Sequence, residues 1–168
     1  SNSSHGEIMT TPAGLLRKLL IGGEWTEGAS AAENVNPSDI TDSVGAYAQA
    51  GVSDVASAVA AAREASRGWA ASTPQQRCDV LDFVGNEILA RKEELGRLLS
   101  REEGKVLSEG IAEVARAGYI FKFFAGEALR VGGEHLRSVR PGIEIDVLRE
   151  PLGVVGLICP WNFPIAIP

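Results

Sequence analysis

The sequence predicts a mixed α/β protein, and three features of the chain lead to that prediction. Short apolar runs separated by glycine or proline turns come first, as is typical of short strands. A long middle part then shows apolar residues at helical spacing. An alternating segment and a continuous apolar run follow, which indicates a β-hairpin and then a strand buried on both faces.

The N-terminal strands are predicted from their turns. Gly22-Gly23 lies between Leu19–Ile21 and Glu24-Trp25, which indicates two extended pieces joined by a turn. Residues Asn36–Asp39 have the composition of a second turn. Val44–Ala48 follows as a predicted strand.

Two N-terminal signals predict the first helices. Ser53 is the expected N-cap of a helix whose apolar face runs towards Trp69. Thr73 precedes a proline at the first helical position and Gln76 at the third, which is the pattern of a capping box. Thr73 is therefore expected to begin a second helix.

Later signals divide and end the helical block. The charged residues 91–94 indicate either a solvated face or a break between two helices. Gly104 is expected to act as a C-cap after them. A third helix is predicted from Ser108 to about Arg130, before a pair of glycines.

Beyond the helices the period of the pattern changes. Apolar and polar residues alternate after the turn Pro141-Gly142, which predicts a β-hairpin from about Leu136 to Arg149. Gly153–Cys159 is a continuous apolar run, and it predicts a buried strand of a parallel sheet. A parallel strand needs a neighbour reached by a crossover, so we expect the front of a larger α/β protein, cut off in mid-domain.

Composition and charge argue against several classes of protein. The 168 residues are 45% hydrophobic, and 16 basic against 22 acidic side chains give a net charge of −6 at pH 7. That balance argues against a nucleic-acid partner. No apolar run reaches the roughly 18 residues of a membrane span, so no membrane partner is expected either. Two cysteines favour a reduced, cytoplasmic protein over a disulfide framework.

The histidines offer little for catalysis or metal binding. Ser1–Ile8 looks like the remnant of an expression tag, which sets aside the first of the two histidines and leaves His135. A Ser-His-Asp triad is therefore not expected, and we predict no metal site.

Pro160–Pro164 is the segment on which a site is expected. Ligands of open α/β sheets bind beyond the carboxyl ends of the strands, where this segment is predicted to lie. Asn162, a neutral amide between two prolines, can donate a hydrogen bond to a developing oxyanion. The alternative is a buried loop in which Asn162 only ties down backbone groups.

Residues 149–164 (REPLGVVGLICPWNFP) resemble the signature segment of the NAD(P)-dependent aldehyde dehydrogenase superfamily. Further motifs agree in the same order, and they are LIGGEW at 20–25, VNP at 35–37, LSREEGK at 99–105 and FAG at 124–126. The resemblance runs from about Leu19 to the last residue. It implies the N-terminal portion of an aldehyde-dehydrogenase-type fold, up to the first buried strand of a Rossmann-like parallel sheet.

The resemblance implies a function and a set of site residues. The parent protein would oxidise an aldehyde to a carboxylic acid with NAD or NADP through a cysteine thiohemiacetal. Asn162 would be the catalytic side-chain member of the oxyanion hole, and Phe163 would line the aldehyde tunnel. The residues bordering the nicotinamide end of the cofactor site would be Ile158, Cys159, Pro160 and Trp161.

The resemblance also bears on the cysteines. The family's nucleophilic thiolate and general-base glutamate lie later in its chain, so residues 1–168 alone are expected to be inactive. Cys159 is expected to be a small buried residue that ends a strand. Cys78 is expected to be a core or half-buried thiol.

Arg116 leads to a narrower expectation. It falls on the third predicted helix, about where the family has a tunnel wall residue, and there it would pair with the distal carboxylate of a semialdehyde. The alternative is a surface pair with Glu113 at i,i+3. The chain also resembles the 2-oxoglutarate-semialdehyde dehydrogenase branch.

The resemblance divides the chain into three parts. Residues 9–133 would be the N-terminal part of the cofactor-binding domain, 134–150 an oligomerisation hairpin, and 151–168 the start of the parallel-sheet core. An exposed two-stranded ribbon is marginal alone, so a homo-oligomer, either a dimer or a tetramer, is expected.

Two other functions stay open. One is a non-catalytic helical interaction module derived from this scaffold, although the apolar ending Ile165–Pro168 argues against it. The other is an acylating or phosphate-reducing relative. The triplet Trp161-Asn162-Phe163 favours the hydrolytic, oxidising branch, on resemblance only.

Overall fold

The structure is a computed structural model that describes residues 16–168, so the predicted tag remnant lies outside the described residues. Within them are seven short strands and four helices. The strands are β1 Leu16–Arg17, β2 Leu19–Ile21, β3 Glu24–Thr26, β4 Ser30–Val35, β5 Ser43–Gln49, β6 Glu134–Arg137 and β7 Glu144–Val147. The helices are α1 Val52–Ala70, α2 Pro74–Ala90, α3 Lys92–Glu103 and α4 Leu107–Ala128. The predicted mixed α/β class is confirmed.

The N-terminal strands form two small sheets. β2 and β3 pair around Gly22-Gly23, where both residues have positive φ, so the predicted turn is confirmed. A second sheet has the order β1-β5-β4, with β5 parallel to β1 and antiparallel to β4. Val44, Ala46 and Ala48 of β5 are buried, as expected for a strand with one face on the core.

The two predicted helix starts had different outcomes. The Thr73 hydroxyl accepts the Gln76 amide at 3.2 Å, and the Gln76 side chain accepts the Thr73 amide at 2.8 Å, so the capping box is confirmed. The prediction of Ser53 as an N-cap is wrong. The Asp54 carboxylate accepts the Gly51 amide at 2.8 Å, which places Gly51 at the cap position and Ser53 inside the first turn.

The second predicted helix is two helices. Arg91 separates α2 from α3, so the charged residues 91–94 mark a break. Gly104 ends α3 at a φ of 74°, which confirms the predicted C-cap. The third predicted helix is α4.

α4 is the central helix of the core, and small residues let its neighbours approach. A Cβ added at Gly96 would lie 2.7 Å from the Ile111 Cα, and one added at Gly85 would lie 2.9 Å from the Gly118 carbonyl oxygen. A side chain at Gly96 or Gly85 would collide with the backbone of α4. Because these positions are glycines, α2 and α3 can both pack tightly on α4. Val114 and Ala117 of α4 are almost fully buried beside these contacts.

The hairpin prediction is confirmed, and the buried-strand prediction is wrong. β6 and β7 pair antiparallel, with Leu136 opposite Ile145. Gly153–Cys159 has no regular secondary structure, and Ile158 is fully exposed. A strand exists only where a neighbour supplies hydrogen bonds, and no other segment of residues 16–168 pairs with this run.

No helix within residues 16–168 combines the length and the apolar character that crossing a bilayer would require.

Candidate functional site

The segment Pro160–Pro164 makes a series of turns and folds back over the start of α4. The Phe163 carbonyl oxygen accepts the Ile167 amide at 3.2 Å, which closes one of these turns. Ile165 and Ala166 are half-buried, whereas Trp161 and Asn162 are exposed. The turns therefore present residues 161 and 162 to solvent and direct the following residues towards α4.

Lys105 and Glu113 hold this segment from below. The Lys105 ammonium, just after the Gly104 C-cap, donates to the Asn162 carbonyl oxygen at 3.0 Å and also binds the Glu113 carboxylate. Glu113 lies on α4, is only 4% exposed, and accepts the Ile165 amide at 3.1 Å. One ion pair therefore contacts both ends of the turn that contains Phe163.

The surroundings of Lys105 stabilise its charged form. Burial opposes the charge, but hydrogen bonds to Glu113 and Glu103 outweigh that effect and raise the pKa of the Lys105 ammonium. The ammonium also lies 4.6 Å from the centroid of the Phe163 ring, in cation–π contact. Lys105 is therefore a fixed positive charge beneath the segment at neutral pH.

Lys105 and Glu113 were not among the predicted site residues. A signal for Glu113 was present, because it stands next to Val114 in the buried stripe of Gly110, Ala117 and Gly118 on α4. A carboxylate on a buried helical face needs a partner. No comparable signal marks Lys105 before its contacts are known.

A cavity of about 370 Å³ opens where the segment meets α4. Its lining brings together two predicted substrate residues, Phe163 and Arg116, although they are distant in sequence. The full lining is Lys105, Glu109, Ala112, Glu113, Arg116 and Phe163. The Phe163 ring, the Ala112 methyl group and the Arg116 guanidinium suit a small molecule that has an apolar body and an anionic end.

The proposed surface pair between Glu113 and Arg116 is not formed. Glu113 is buried and binds Lys105 together with the backbone of residues 165 and 166. Arg116 is exposed at the cavity and has no ion pair within the described residues. Of the two alternatives for Arg116, the helical i,i+3 pair is therefore wrong.

Asn162 stands one residue from the cavity wall. Its carboxamide makes no hydrogen bond within residues 16–168, while its backbone carbonyl is held by Lys105. The alternative in which a buried Asn162 side chain ties down backbone groups is therefore wrong. The free carboxamide has donor capacity for a ligand.

The residues predicted to border a cofactor lie apart from the cavity. The structure leaves all four of these residues exposed, and they are Ile158, Cys159, Pro160 and Trp161. The expectation that Cys159 is a buried residue ending a strand is wrong, for the same lack of a pairing segment. Cys78 is half-buried on α2, as expected.

A comparison with family models decides the family. The model of the aldehyde dehydrogenase family matches residues 25–168. The chain belongs to the aldehyde dehydrogenase family. The resemblance seen in the motifs is thus confirmed, and the cavity between α4 and residues 160–166 is a feature of an aldehyde dehydrogenase chain.

Curated relatives of this aldehyde dehydrogenase chain include semialdehyde dehydrogenases. It is 37% identical over 162 residues to an alpha-ketoglutarate semialdehyde dehydrogenase of Haloferax volcanii, with 95% of this chain and 33% of that protein covered. It is 39% identical over 150 residues to an alpha-ketoglutaric semialdehyde dehydrogenase of Bacillus subtilis, with 88% and 31% covered. The chain thus spans about a third of the length of these relatives.

A solved structure shares the fold of this aldehyde dehydrogenase chain. The match is a double mutant of betaine aldehyde dehydrogenase from Staphylococcus aureus, in complex with NAD⁺. The TM-score is 0.84 at 31% sequence identity, and the match covers 91% of this chain and 31% of that one. The short strands, the helical block and the hairpin are therefore arranged as in a solved aldehyde dehydrogenase.

Proposed function

We propose that the protein carrying this chain oxidises an aldehyde to a carboxylic acid with NAD or NADP. Family membership supports the reaction class. The observation that carries the proposal is the cavity in which Phe163 and Arg116 meet beside Asn162. In the overall reaction, aldehyde, water and oxidised cofactor give acid, reduced cofactor and a proton.

Asn162 is proposed as a donor to the substrate oxyanion. Thiol attack on an aldehyde carbon turns the carbonyl oxygen into an alkoxide, and that negative charge needs a hydrogen-bond donor. The Asn162 Nδ2 group is a neutral donor with no protein partner in the described residues. Its backbone is held by Lys105 and flanked by prolines, so little reorganisation is needed during the reaction.

Arg116 and Phe163 are proposed to bind the rest of the substrate. The ring offers an apolar wall, and the guanidinium offers two donors to a carboxylate. Glu109 on the same wall disfavours a second negative charge, so one carboxylate at the Arg116 end is the best match. We therefore propose an acidic semialdehyde, and the names of the two curated relatives support the same class.

The nicotinamide site is proposed at residues 158–161, where the side chains can pack against one face of the nicotinamide ring. Ile158 and Trp161 are exposed apolar groups that would pack on a flat ring, and the backbone around them has free donors and acceptors within the described residues. NAD or NADP, when bound, supplies the hydride acceptor of the reaction. The NAD⁺ complex of the betaine aldehyde dehydrogenase supports a nicotinamide cofactor for this family.

Neither cysteine of the chain is proposed as the nucleophile. Cys78 lies on α2 and Cys159 on the exposed run, and neither lines the cavity. The thiolate would therefore come from a residue other than these two, and the resemblance implies that both the thiolate and the general-base glutamate lie later in the family's chain. We infer that residues 1–168 alone do not turn over an aldehyde.

We further propose the division into domains and the oligomeric state that the resemblance implies. Residues 9–133 and 151–168 would belong to the cofactor-binding domain. The β6–β7 hairpin, exposed along both strands, would pack on a second copy in a homodimer or homotetramer. A cytoplasmic location and the absence of a metal site stay predictions.

A substrate panel tests the function. The full-length protein that carries this chain is purified and assayed for reduced cofactor with acidic semialdehydes and with neutral aldehydes of equal length, using NAD⁺ and NADP⁺. Asn162→Ala is expected to lower kcat by about 100- to 1000-fold, the usual effect of losing one oxyanion donor. Asn86→Ala, which removes an exposed amide on α2, is the control and should keep the parent kcat.

Two outcomes would contradict the proposal. The first is that the full-length protein turns over no aldehyde with either cofactor, which would favour the non-catalytic interaction module. The second is turnover that Asn162→Ala leaves unchanged, which would remove Asn162 from the reaction.

A further inference from the structure

The Lys105–Glu113 ion pair lies almost entirely beneath the turns of residues 160–166. The side chain of Glu113 is 2% exposed and that of Lys105 is 13% exposed. Removing two charges from water is costly, and more hydrophobic residues would serve packing alone at least as well. The position of the pair therefore points to a role beyond filling the core.

Each member of the pair holds a different part of the loop. Glu113 Oε1 accepts the backbone amides of Ile165 at 3.1 Å and Ala166 at 3.3 Å. Its other oxygen accepts a hydrogen bond from Lys105, whose Nζ also donates to the Asn162 carbonyl oxygen at 3.0 Å. The ion pair thus links the backbone on both sides of Phe163.

We propose that Lys105 and Glu113 are positioning residues that hold the Asn162 backbone where its carboxamide can meet the substrate oxyanion. This inference rests on the proposed role of Asn162. Because the carboxamide has no hydrogen bond of its own in the described residues, its direction follows from the backbone and the side-chain rotamer alone. The backbone of residue 162 is in turn held by Lys105.

The same pair acts on the substrate wall. Lys105 Nζ lies 4.6 Å from the Phe163 ring centroid, and both side chains line the cavity. The Lys105 ammonium thus contacts both the backbone carbonyl of Asn162 and the ring of Phe163. Loss of the pair should affect the reacting geometry more than the Arg116 end, which makes no contact with Lys105 among the hydrogen bonds and ion pairs described.

Variants of Glu113 separate positioning from simple packing. Glu113→Ala removes both backbone contacts and the charge, and we expect kcat to fall by about 100-fold, as misplacement by about 1 Å can do. Glu113→Gln keeps an oxygen for the backbone amides but loses the charge, so its kcat should fall by only about tenfold. In both variants the KM for an acidic semialdehyde should stay within about threefold, because Arg116 is intact.

Hydrogen exchange gives a second readout that does not depend on activity. Amide exchange in the peptide covering residues 163–167 of the purified protein should rise by about tenfold in Glu113→Ala and return towards the parent rate in Glu113→Gln. Asp82→Asn is the matched control, because it breaks the half-buried Lys122–Asp82 ion pair between α2 and α4 and touches no residue of the loop. Its kcat and its exchange in this peptide should equal those of the parent.

The outcomes distinguish this inference from the proposed function. If Asn162→Ala is slow while both Glu113 variants keep the parent kcat, the positioning role is overturned and the oxyanion role stands. If Asn162→Ala keeps the parent kcat, the oxyanion role fails. If Glu113→Ala does not fold, Glu113→Gln decides, and a kcat of that variant equal to the parent kcat would overturn the inference.

Discussion

Arg101 on α3 donates two hydrogen bonds to the Asp42 carboxylate, from Nε to Oδ2 at 2.9 Å and from Nη2 to Oδ1 at 2.5 Å. Asp42 lies in the connection between β4 and β5, so this pair ties the three-stranded sheet to the helices. The hydrogen bonds from Arg101 and Asn36 outweigh partial burial and lower the pKa of the Asp42 carboxyl from 3.8 to about 2.

Asp42→Asn is expected to make the free energy of unfolding depend less steeply on pH between about pH 4 and pH 2. Between about pH 4 and pH 2 the unfolded state binds a proton at residue 42 that the folded state does not, so stability rises with pH in that window. The contribution of Asp42 is fully present above about pH 4 and is lost as the pH falls through 2. Urea unfolding of parent and variant from pH 2 to pH 6 measures the difference.

Glu33→Gln is the control for that series. Glu33 is an exposed carboxylate on β4 with no hydrogen bond or ion pair within residues 16–168. In Glu33→Gln the free energy of unfolding should change with pH as steeply as it does in the unsubstituted protein. A parent-like slope in Asp42→Asn would show that the Arg101 pair does not shift the titration.

Gly96→Ala tests the close approach of α3 and α4. The new methyl group would lie 2.8 Å from the Ile111 backbone nitrogen, so a helix has to move. We expect a net loss of about 1–2 kcal/mol, since overpacking outweighs the better helix propensity of alanine. The measurement is the free energy of unfolding in urea.

Gly68→Ala is the matched control on α1. Nothing lies within 4 Å of a Cβ added there, so alanine should stabilise the protein by about 0.5–1 kcal/mol. Equal effects of the two substitutions would mean that the helices are not tightly packed at Gly96.

Thr73→Ala tests the capping box of α2. Loss of the hydroxyl leaves the Gln76 amide without its partner, and we expect a cost of about 1 kcal/mol. Ser53→Ala is the comparison, because Ser53 lies inside α1 and should change stability by less than about 0.5 kcal/mol. If urea unfolding shows a larger loss of stability for Ser53→Ala than for Thr73→Ala, Ser53 and not Thr73 acts as a helix cap.

Arg116→Met tests substrate binding in the full-length protein that carries this chain. We expect the KM for acidic semialdehydes to rise about tenfold, as loss of one charge-assisted contact predicts, while neutral aldehydes change little. Lys122→Met, which removes another cation from α4, should leave both values unchanged. Equal effects of Arg116→Met on both substrate classes would rule out pairing with a carboxylate.

Many elements of the fold followed from residues close together in sequence. Thr73 and Gln76 are three positions apart, and Gly104 needs only its own φ to end a helix. The Ser53 prediction failed on the same scale, because the Asp54 side chain was a better partner for the Gly51 amide. Local hydrogen bonding predicts that a helix begins but not always at which residue.

The candidate site was predictable only in part. Asn162 and Phe163 stood out because two prolines flank them, and Arg116 because of its place on a helix. Lys105 did not stand out, and Glu113 was marked only by its place on the buried face of α4, because the contacts of these two residues join positions 57 and 52 apart in the chain. Such contacts leave no periodic pattern that a reading of the sequence can detect.

The difference between these outcomes has one physical reason. Caps, turns and helical stripes depend on groups a few residues apart, so the chain specifies them before any packing occurs. The buried Lys105–Glu113 pair depends on partners brought together by the packing of α4 against residues 160–166. The apolar run Gly153–Cys159 depends on packing too, and it stays without strand structure because no described neighbour completes its hydrogen bonds.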